Sequence, residues 1–207
     1  MNAGSISANF QWDPYEKPDL PQFDERRLSR VGVIDVGSNS VRLVVFDGAA
    51  RSPAYFYNEK LMCALGSHLS TTGILNPEGR TRAINAIGRF KHLATEMGIP
   101  ELTAVATAAV REAKNGVEFC REVYEKAGQK IWIIDGREEA RLSAQGILLG
   151  WPKSYGLVCD LGGSSMELAE INNGKVGRRV TSQLGPLKLM EIEGGKEARS
   201  KFIKIGR

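Results

Sequence analysis

Residues 35–43 read DVGSNSVRL, and residues 160–168 read DLGGSSMEL. Laid over one another, Asp35 falls on Asp160, Gly37 on Gly162, Ser40 on Ser165 and Leu43 on Leu168. Each stretch follows a short apolar run (VGVI at 31–34, GLVC at 156–159) and leads into another. A strand, a tight turn and a returning strand thus occur twice in one chain, which points to an internal duplication. A strand ending in Asp, followed by Gly and Ser, presents backbone N–H groups and hydroxyls at a hairpin tip. Such donors suit phosphate oxygens, because small residues let a ligand approach the main chain. The Asp at the strand end can hold a divalent cation directly or through water. Either hairpin alone also reads as a plain tight turn with a structural Asp. The matched pair reads as a clamp on a phosphate chain.

Working outward, the elements alternate. RVGVIDVG (30–37) and SVRLVVFDG (40–48) read as strands, and a third is expected within PAYFYNEKL (53–61). A helix over 77–97 has Asn76 as cap, Pro77 at its first position and Gly98 as stop. Its buried face is Ala83, Ile84, Ile87, Phe90, Leu93, Ala94 and Met97. LTAVAT (102–107) and KIWII (130–134) are further strands around a helix over 115–127, capped by Asn115 and stopped by Gly128. A helix over about 136–149 starts with Asp135 and Glu138 at capping-box spacing. After Gly150 and Pro152 the pattern restarts with YGLVCDLGG and SSMELAEI. Asn173-Gly174 then turns the chain into KVGRRVTSQ, and Gly185-Pro186 opens a helix. The expected organisation is an extended or disordered arm at 1–29, a first α/β domain at 30–150, and the start of a second, incomplete one at 151–207.

Composition narrows the classes. The chain has 207 residues, 42% hydrophobic and 25% charged, with 23 Gly and 8 Pro, which excludes collagen-like and disulfide-stapled designs. No run approaches a membrane span, and the N-terminus lacks the basic and apolar regions of a signal peptide. Cys63, Cys120 and Cys159 have no CxxC spacing and read as reduced thiols in a cytoplasm, with Cys159 on a buried strand as a core residue. Two histidines, His68 and His92, leave little for a zinc enzyme or a His-based triad. A net charge of +4, from 28 basic and 24 acidic residues, suits a polyanionic ligand but is too dispersed to mark a nucleic-acid stripe.

Four ordered motifs, VIDVGSNSVRLVV, TAAVREA (107–113), GREEARLSAQGILLG (136–150) and DLGGSSMELAE (160–170), together resemble the exopolyphosphatase and guanosine pentaphosphate phosphatase (Ppx/GppA) family of bacteria. The resemblance covers about residues 30–190. It implies the actin, Hsp70 and sugar-kinase fold of duplicated ribonuclease H-like α/β domains, with the second domain truncated here. It departs at one place: Ser164 stands where the family's second hairpin carries a third Gly, which would be costly if that position required a positive φ.

The resemblance implies hydrolysis of a phosphoanhydride, releasing terminal orthophosphate from inorganic polyphosphate, with Mg²⁺ as cofactor. Glu139 is then the carboxylate that orients and deprotonates the attacking water. Asp160 and Glu167, seven residues apart across the second hairpin, are candidate metal ligands, with Asp35 as their first-copy counterpart. Ser38, Asn39, Ser40, Gly162, Gly163, Ser164 and Ser165 are the phosphate-cradling candidates. Arg111, after a buried strand, can bind phosphate bidentately, or pair with a helix neighbour such as Glu112 or Glu118. Guanosine pentaphosphate is the alternative substrate, and a polyphosphate- or nucleotide-sensing protein without catalysis the alternative class. A sugar or acyl kinase of the same fold is disfavoured by the EEAR motif. A homodimer is expected of the full-length protein, with neither membrane nor nucleic acid as partner.

Overall fold

A computed structural model of the chain describes residues 12–16, 30–48, 54–192 and 195–205. The first unit runs β1 (Val31–Val36), β2 (Ser40–Phe46), β3 (Tyr55–Met62), α1 (Leu69–Thr72), α2 (Pro77–Glu96), β4 (Glu101–Ala106), α3 (Ala108–Glu112), α4 (Gly116–Ala127) and β5 (Ile131–Ile133). Its five strands lie in the order β3-β2-β1-β4-β5. β1, β2 and β3 form an antiparallel meander, while β4 runs parallel to β1 and β5 parallel to β4. The crossovers α2 and α4 cover one face of this sheet. Ile34, Val36, Val41, Leu43, Val45, Ala104 and Ala106 there meet Ile87 and Phe90 of α2 and Phe119 and Val123 of α4 in one core. Alternation along β1 and β2 leaves Asp35 and Arg42 on the opposite face, opposite one another in register.

The helix ends follow the sequence with one exchange. Asn76 Oδ1 accepts from Gly79 N at 2.7 Å, and Asp135 Oδ1 accepts from Glu138 N at 2.7 Å. Asn115 stands before α4 as expected but does not cap it with its side chain; its Oδ1 takes the N–H of Leu75 at 2.9 Å instead. The short helices α1 and α3 lie in stretches that periodicity leaves as connections, being too brief to show a period. Part of the N-terminal arm is ordered against the sheet. Pro14 O accepts from Ile133 N at 2.7 Å, and Trp12 packs edge-on against Trp132 with centroids 5.7 Å apart. The rest of the expected arm, 1–11 and 17–29, lies outside the described residues.

The second unit contains α5 (Gly136–Gly150), β6 (Gly156–Leu161), β7 (Met166–Asn172) and β8 (Lys175–Ser182), followed by α6 (Pro186–Glu191) and α7 (Gly195–Ile205). Its sheet, β6-β7-β8, is antiparallel throughout. Asn173 and Gly174 both adopt positive φ, 50° and 71°, as a two-residue hairpin turn with the twist of the flanking strands requires. α5 packs on this sheet: Ala140 and Ala144, with Ile147 and Leu148, meet Ala169, Ile171, Val158 and Val176. The boundary expected at residue 150 therefore moves, since by packing α5 goes with the second sheet. Cys159 also needs correction. It is exposed, on the face of β6 away from α5, where Leu157 and Leu161 are exposed as well. An apolar strand reads as buried on both faces, but among the described residues only one face of this sheet is covered.

α6 ties the two units together. Lys188 Nζ lies 2.5 Å from a Glu112 carboxylate oxygen, and Glu191 accepts from His68 N at 2.7 Å and from the Ser70 hydroxyl.

Candidate active site

The two hairpins close in the same way. Gly37 N donates to Ser40 O at 3.0 Å, and Gly162 N donates to Ser165 O at 3.0 Å. The tips meet directly, because Ser164 Oγ donates to Ser38 Oγ at 2.7 Å in a buried contact. Two of the phosphate-cradling candidates thus hold each other across the units. Asn39, at the first tip, accepts from Cys63 N and Ala64 N, both at 2.9 Å, through its carbonyl. Ser164 carries no positive φ, the non-glycine examples among the described residues being Ala64, His68 and Asn173, so its replacement of a Gly costs nothing in backbone strain. Gly163 is constrained by space: a Cβ there would lie 2.9 Å from Leu187 Cδ1 and 3.3 Å from Ser38 Cβ.

The carboxylates converge beside these tips. Asp160 pairs in register with Glu167 across β6 and β7, so both side chains leave the sheet on the face that α5 covers. Glu139, in the first turn of α5, accepts from Arg111 Nη1 at 3.2 Å, and the same nitrogen donates to Ile134 O at 2.7 Å. Arg111, on α3, therefore faces the acid of the EEAR motif and not Glu112 or Glu118. Glu138 turns away to pair with Arg141. Ser143, one turn beyond Glu139 on α5, donates its hydroxyl to Asp160 Oδ2. A cavity of about 510 Å³ opens here, with Asp35, Arg42, Thr107, Glu139, Ser143 and Asp160 among its lining.

Burial, with the charges of Glu167 and Asp160 adding to it against the pull of Arg111, raises the Glu139 carboxyl from 4.5 to about 7. Burial likewise raises Glu167, which is 1% exposed, although the hydroxyls of Thr181 and Ser165 and the charge of Arg111 pull the other way. Asp35 opens onto the cavity, yet the protein around it still raises its carboxyl. Arg42 and Lys60 oppose this and Asp160 adds to it, so the two hairpin aspartates feel one another.

A divalent cation can be tested against this arrangement. Among the described residues no three His, Cys, Asp or Glu side chains gather closely enough for a metal cage, so Asp35, Asp160 and Glu167 are not a ready-made triad. Glu167 Oε2, however, is buried and has no hydrogen-bond partner. Two facing carboxylates, one with a free buried oxygen, fit Mg²⁺, which keeps several waters and commonly binds through one or two carboxylates and substrate phosphates.

Sequence reasoning missed Ser143 and Thr181. Ser143 was within reach, four residues after Glu139 and so on the same face of a helix. Thr181 was not, because a β-bulge decides what stands opposite Glu167.

Comparison with known proteins shows what the chain as a whole is similar to. A family model described as the Ppx/GppA phosphatase family matches residues 33–193. Exopolyphosphatase 1 of Mycobacterium tuberculosis is 32% identical over 143 residues, covering 68% of this chain and 42% of that protein. The Mycobacterium leprae protein of the same name matches over the same length with the same identity. A crystal structure of an exopolyphosphatase from Cytophaga hutchinsonii superposes with a TM-score of 0.73 at 27% identity, covering 79% of this chain and 53% of that one. A Ppx/GppA family member from Aquifex aeolicus gives 0.71 at 28%, covering 86% and 60%. The chain thus spans less than two thirds of the length of these relatives. The fold of the chain is that of these exopolyphosphatase and Ppx/GppA structures.

Proposed function

The chain belongs to the Ppx/GppA phosphatase family, and from that premise we propose that it carries the reacting centre of a phosphoanhydride hydrolase that releases terminal orthophosphate from inorganic polyphosphate. The observation that carries this reading is the Arg111–Glu139 pair standing beside Asp160 and Glu167 at the meeting of the two hairpins. Glu139 orients a water and takes its proton as the water attacks the terminal phosphorus. A carboxyl held near 7 takes that proton more readily than an ordinary one and still ionises in the physiological range. Arg111, anchored through Nη1, directs its remaining donors at the phosphate and balances its charge. The hairpin N–H groups hold the equatorial oxygens in a reaction that depends mainly on positioning and electrostatics. Asp160 and Glu167 would hold Mg²⁺, which supplies neutralisation of phosphate charge when bound. The free thiols of Cys63, Cys120 and Cys159 suit a reducing cytoplasm.

A second reading rests on one further feature. Phe46 and Tyr55, with ring centroids 5.5 Å apart, line the same cavity and offer an aromatic surface to a base. That surface favours guanosine pentaphosphate, whose 5′ terminal phosphate would meet the same carboxylates.

The test is phosphate release from polyphosphate and from guanosine pentaphosphate by wild type and Glu139→Gln. The variant should bind substrate yet turn over about 10²- to 10⁴-fold more slowly. Single-turnover release within twofold of wild type removes Glu139 from the base role. Faster turnover of the nucleotide favours the second reading.

A further inference from the structure

We propose that Thr181 is a positioning residue for the carboxylate pair: it ties down one oxygen of Glu167 so that the other is presented to a divalent cation. The proposal rests on the cation reading of the preceding subsection and adds to it a residue that none of the four motifs contains.

The two oxygens of Glu167 have different surroundings. Thr181 Oγ1 donates to Oε1 at 2.8 Å, while Oε2 is buried and has no hydrogen-bond partner. A buried carboxylate oxygen without a donor is costly, and a protein tolerates one where a ligand completes it. With Oε1 held toward β8, the side chain cannot rotate to exchange its oxygens without breaking the Thr181 bond. Oε2, although the Ser165 hydroxyl also acts on this carboxylate, makes no hydrogen bond and is therefore the acceptor that remains for a cation or a water.

Thr181 is itself fixed from the far side. A Cβ on Gly136 would lie 2.4 Å from Thr181 Oγ1 and 2.5 Å from its Cβ, closer than any real contact. Only Gly lets the first residue of α5 rest on Thr181 in this way. Glu139 is three residues further along α5, and Glu167 is the partner of Thr181 across β7 and β8. One side chain therefore sets the distance between the helix that carries the proposed base and the strand that carries the proposed ligand.

The experiment measures Mn²⁺ binding to the 207-residue chain by calorimetry and electron paramagnetic resonance, with crystal structures of the same proteins. Thr181→Val removes the hydroxyl at nearly constant shape, and Thr181→Ser restores it. Loss of an outer partner of a ligating side chain weakens metal binding about 10- to 100-fold, which is the expected result for Thr181→Val. Thr181→Ser should bind within about threefold of wild type by the same measure. In the crystals the Glu167 carboxylate should turn away from β8 in the Val variant and stay in the Ser variant. Equal Mn²⁺ binding by wild type and Thr181→Val, or an equal loss in both variants, overturns the proposal. So does a Glu167 carboxylate that keeps its place in Thr181→Val. A wild-type chain that binds no Mn²⁺ refutes the cation reading, and the crystallographic comparison alone then decides whether Thr181 orients Glu167.

Discussion

Replacing Glu139 with Gln should make the folded chain more stable at alkaline pH while disabling the proposed chemistry. Burial and the neighbouring Glu167 and Asp160 raise the Glu139 carboxyl from 4.5 to about 7, a net value in which the Arg111 pair is already opposing them. The folded state therefore holds this proton more tightly than the unfolded state does. The stability that the proton confers is complete below 4.5 and is lost as pH rises through 7. At about 1.4 kcal/mol per tenfold change in proton affinity, the loss reaches roughly 3 kcal/mol above pH 8. Gln has no proton to lose. The variant should thus exceed wild type by roughly 3 kcal/mol at pH 8.5 and by almost nothing at pH 4.5. In a chain of this size that is a gap of roughly 6–12 °C in melting temperature. Thermal or urea unfolding of both proteins across this range reads it directly, without substrate. A variant no more stable than wild type at pH 8.5, or a gap that does not change with pH, refutes the claim that Glu139 is held in a strained, charge-crowded place.

Arg111→Ala removes the cation that holds the Glu139 carboxyl down, so the acid limb of the rate profile should move to higher pH; an unmoved limb would separate the two residues. The same variant should bind polyphosphate about 10- to 100-fold more weakly, since hydrogen bonds to a charged partner contribute about 1.5–3 kcal/mol. Ser143→Ala, which frees Asp160 Oδ2, and Asp160→Asn should both raise the Mg²⁺ concentration for half-maximal activity, and metal titration of the two variants checks this. Gly163→Ala drives a methyl against Leu187 and Ser38 where the hairpins meet. It should destabilise the chain by about 1–3 kcal/mol in urea unfolding.

The local half of the site was legible in the sequence. Asp160 and Glu167 flank a short turn, so hairpin register alone puts them opposite one another, as the structure has them. Asn76, Pro77 and Asp135 start their helices as read, because capping depends on residues within one turn. What the sequence did not show depended on partners far along the chain. Asn115 gives its side chain to Leu75, 40 residues away, and leaves its helix uncapped. Arg111 pairs with Glu139 across 28 residues, where neighbours on its own segment were the alternative. Cys159 lies on an apolar strand whose outer face nothing among the described residues covers.

β8 separates the two kinds of information most sharply. The sequence by itself determined the duplicated hairpins, the alternation of strands and helices, and the Asn173-Gly174 turn that sends β8 back along β7. These follow from side-chain size, backbone freedom and a period of two, all of which are local. Counting back from that turn, with Asn172 opposite Lys175 and Ile171 opposite Val176, would set Val180 against Glu167. The structure sets Thr181 there, because a bulge between Ala169 and Ile171 shifts the register by one residue. That shift exposes Val180 and carries a hydroxyl to a buried carboxylate, since neighbouring strand residues face opposite sides of a sheet. A bulge is chosen by how a strand fits against what it packs on, here α5 with Gly136 resting on Thr181, and only the tertiary structure contains that fit.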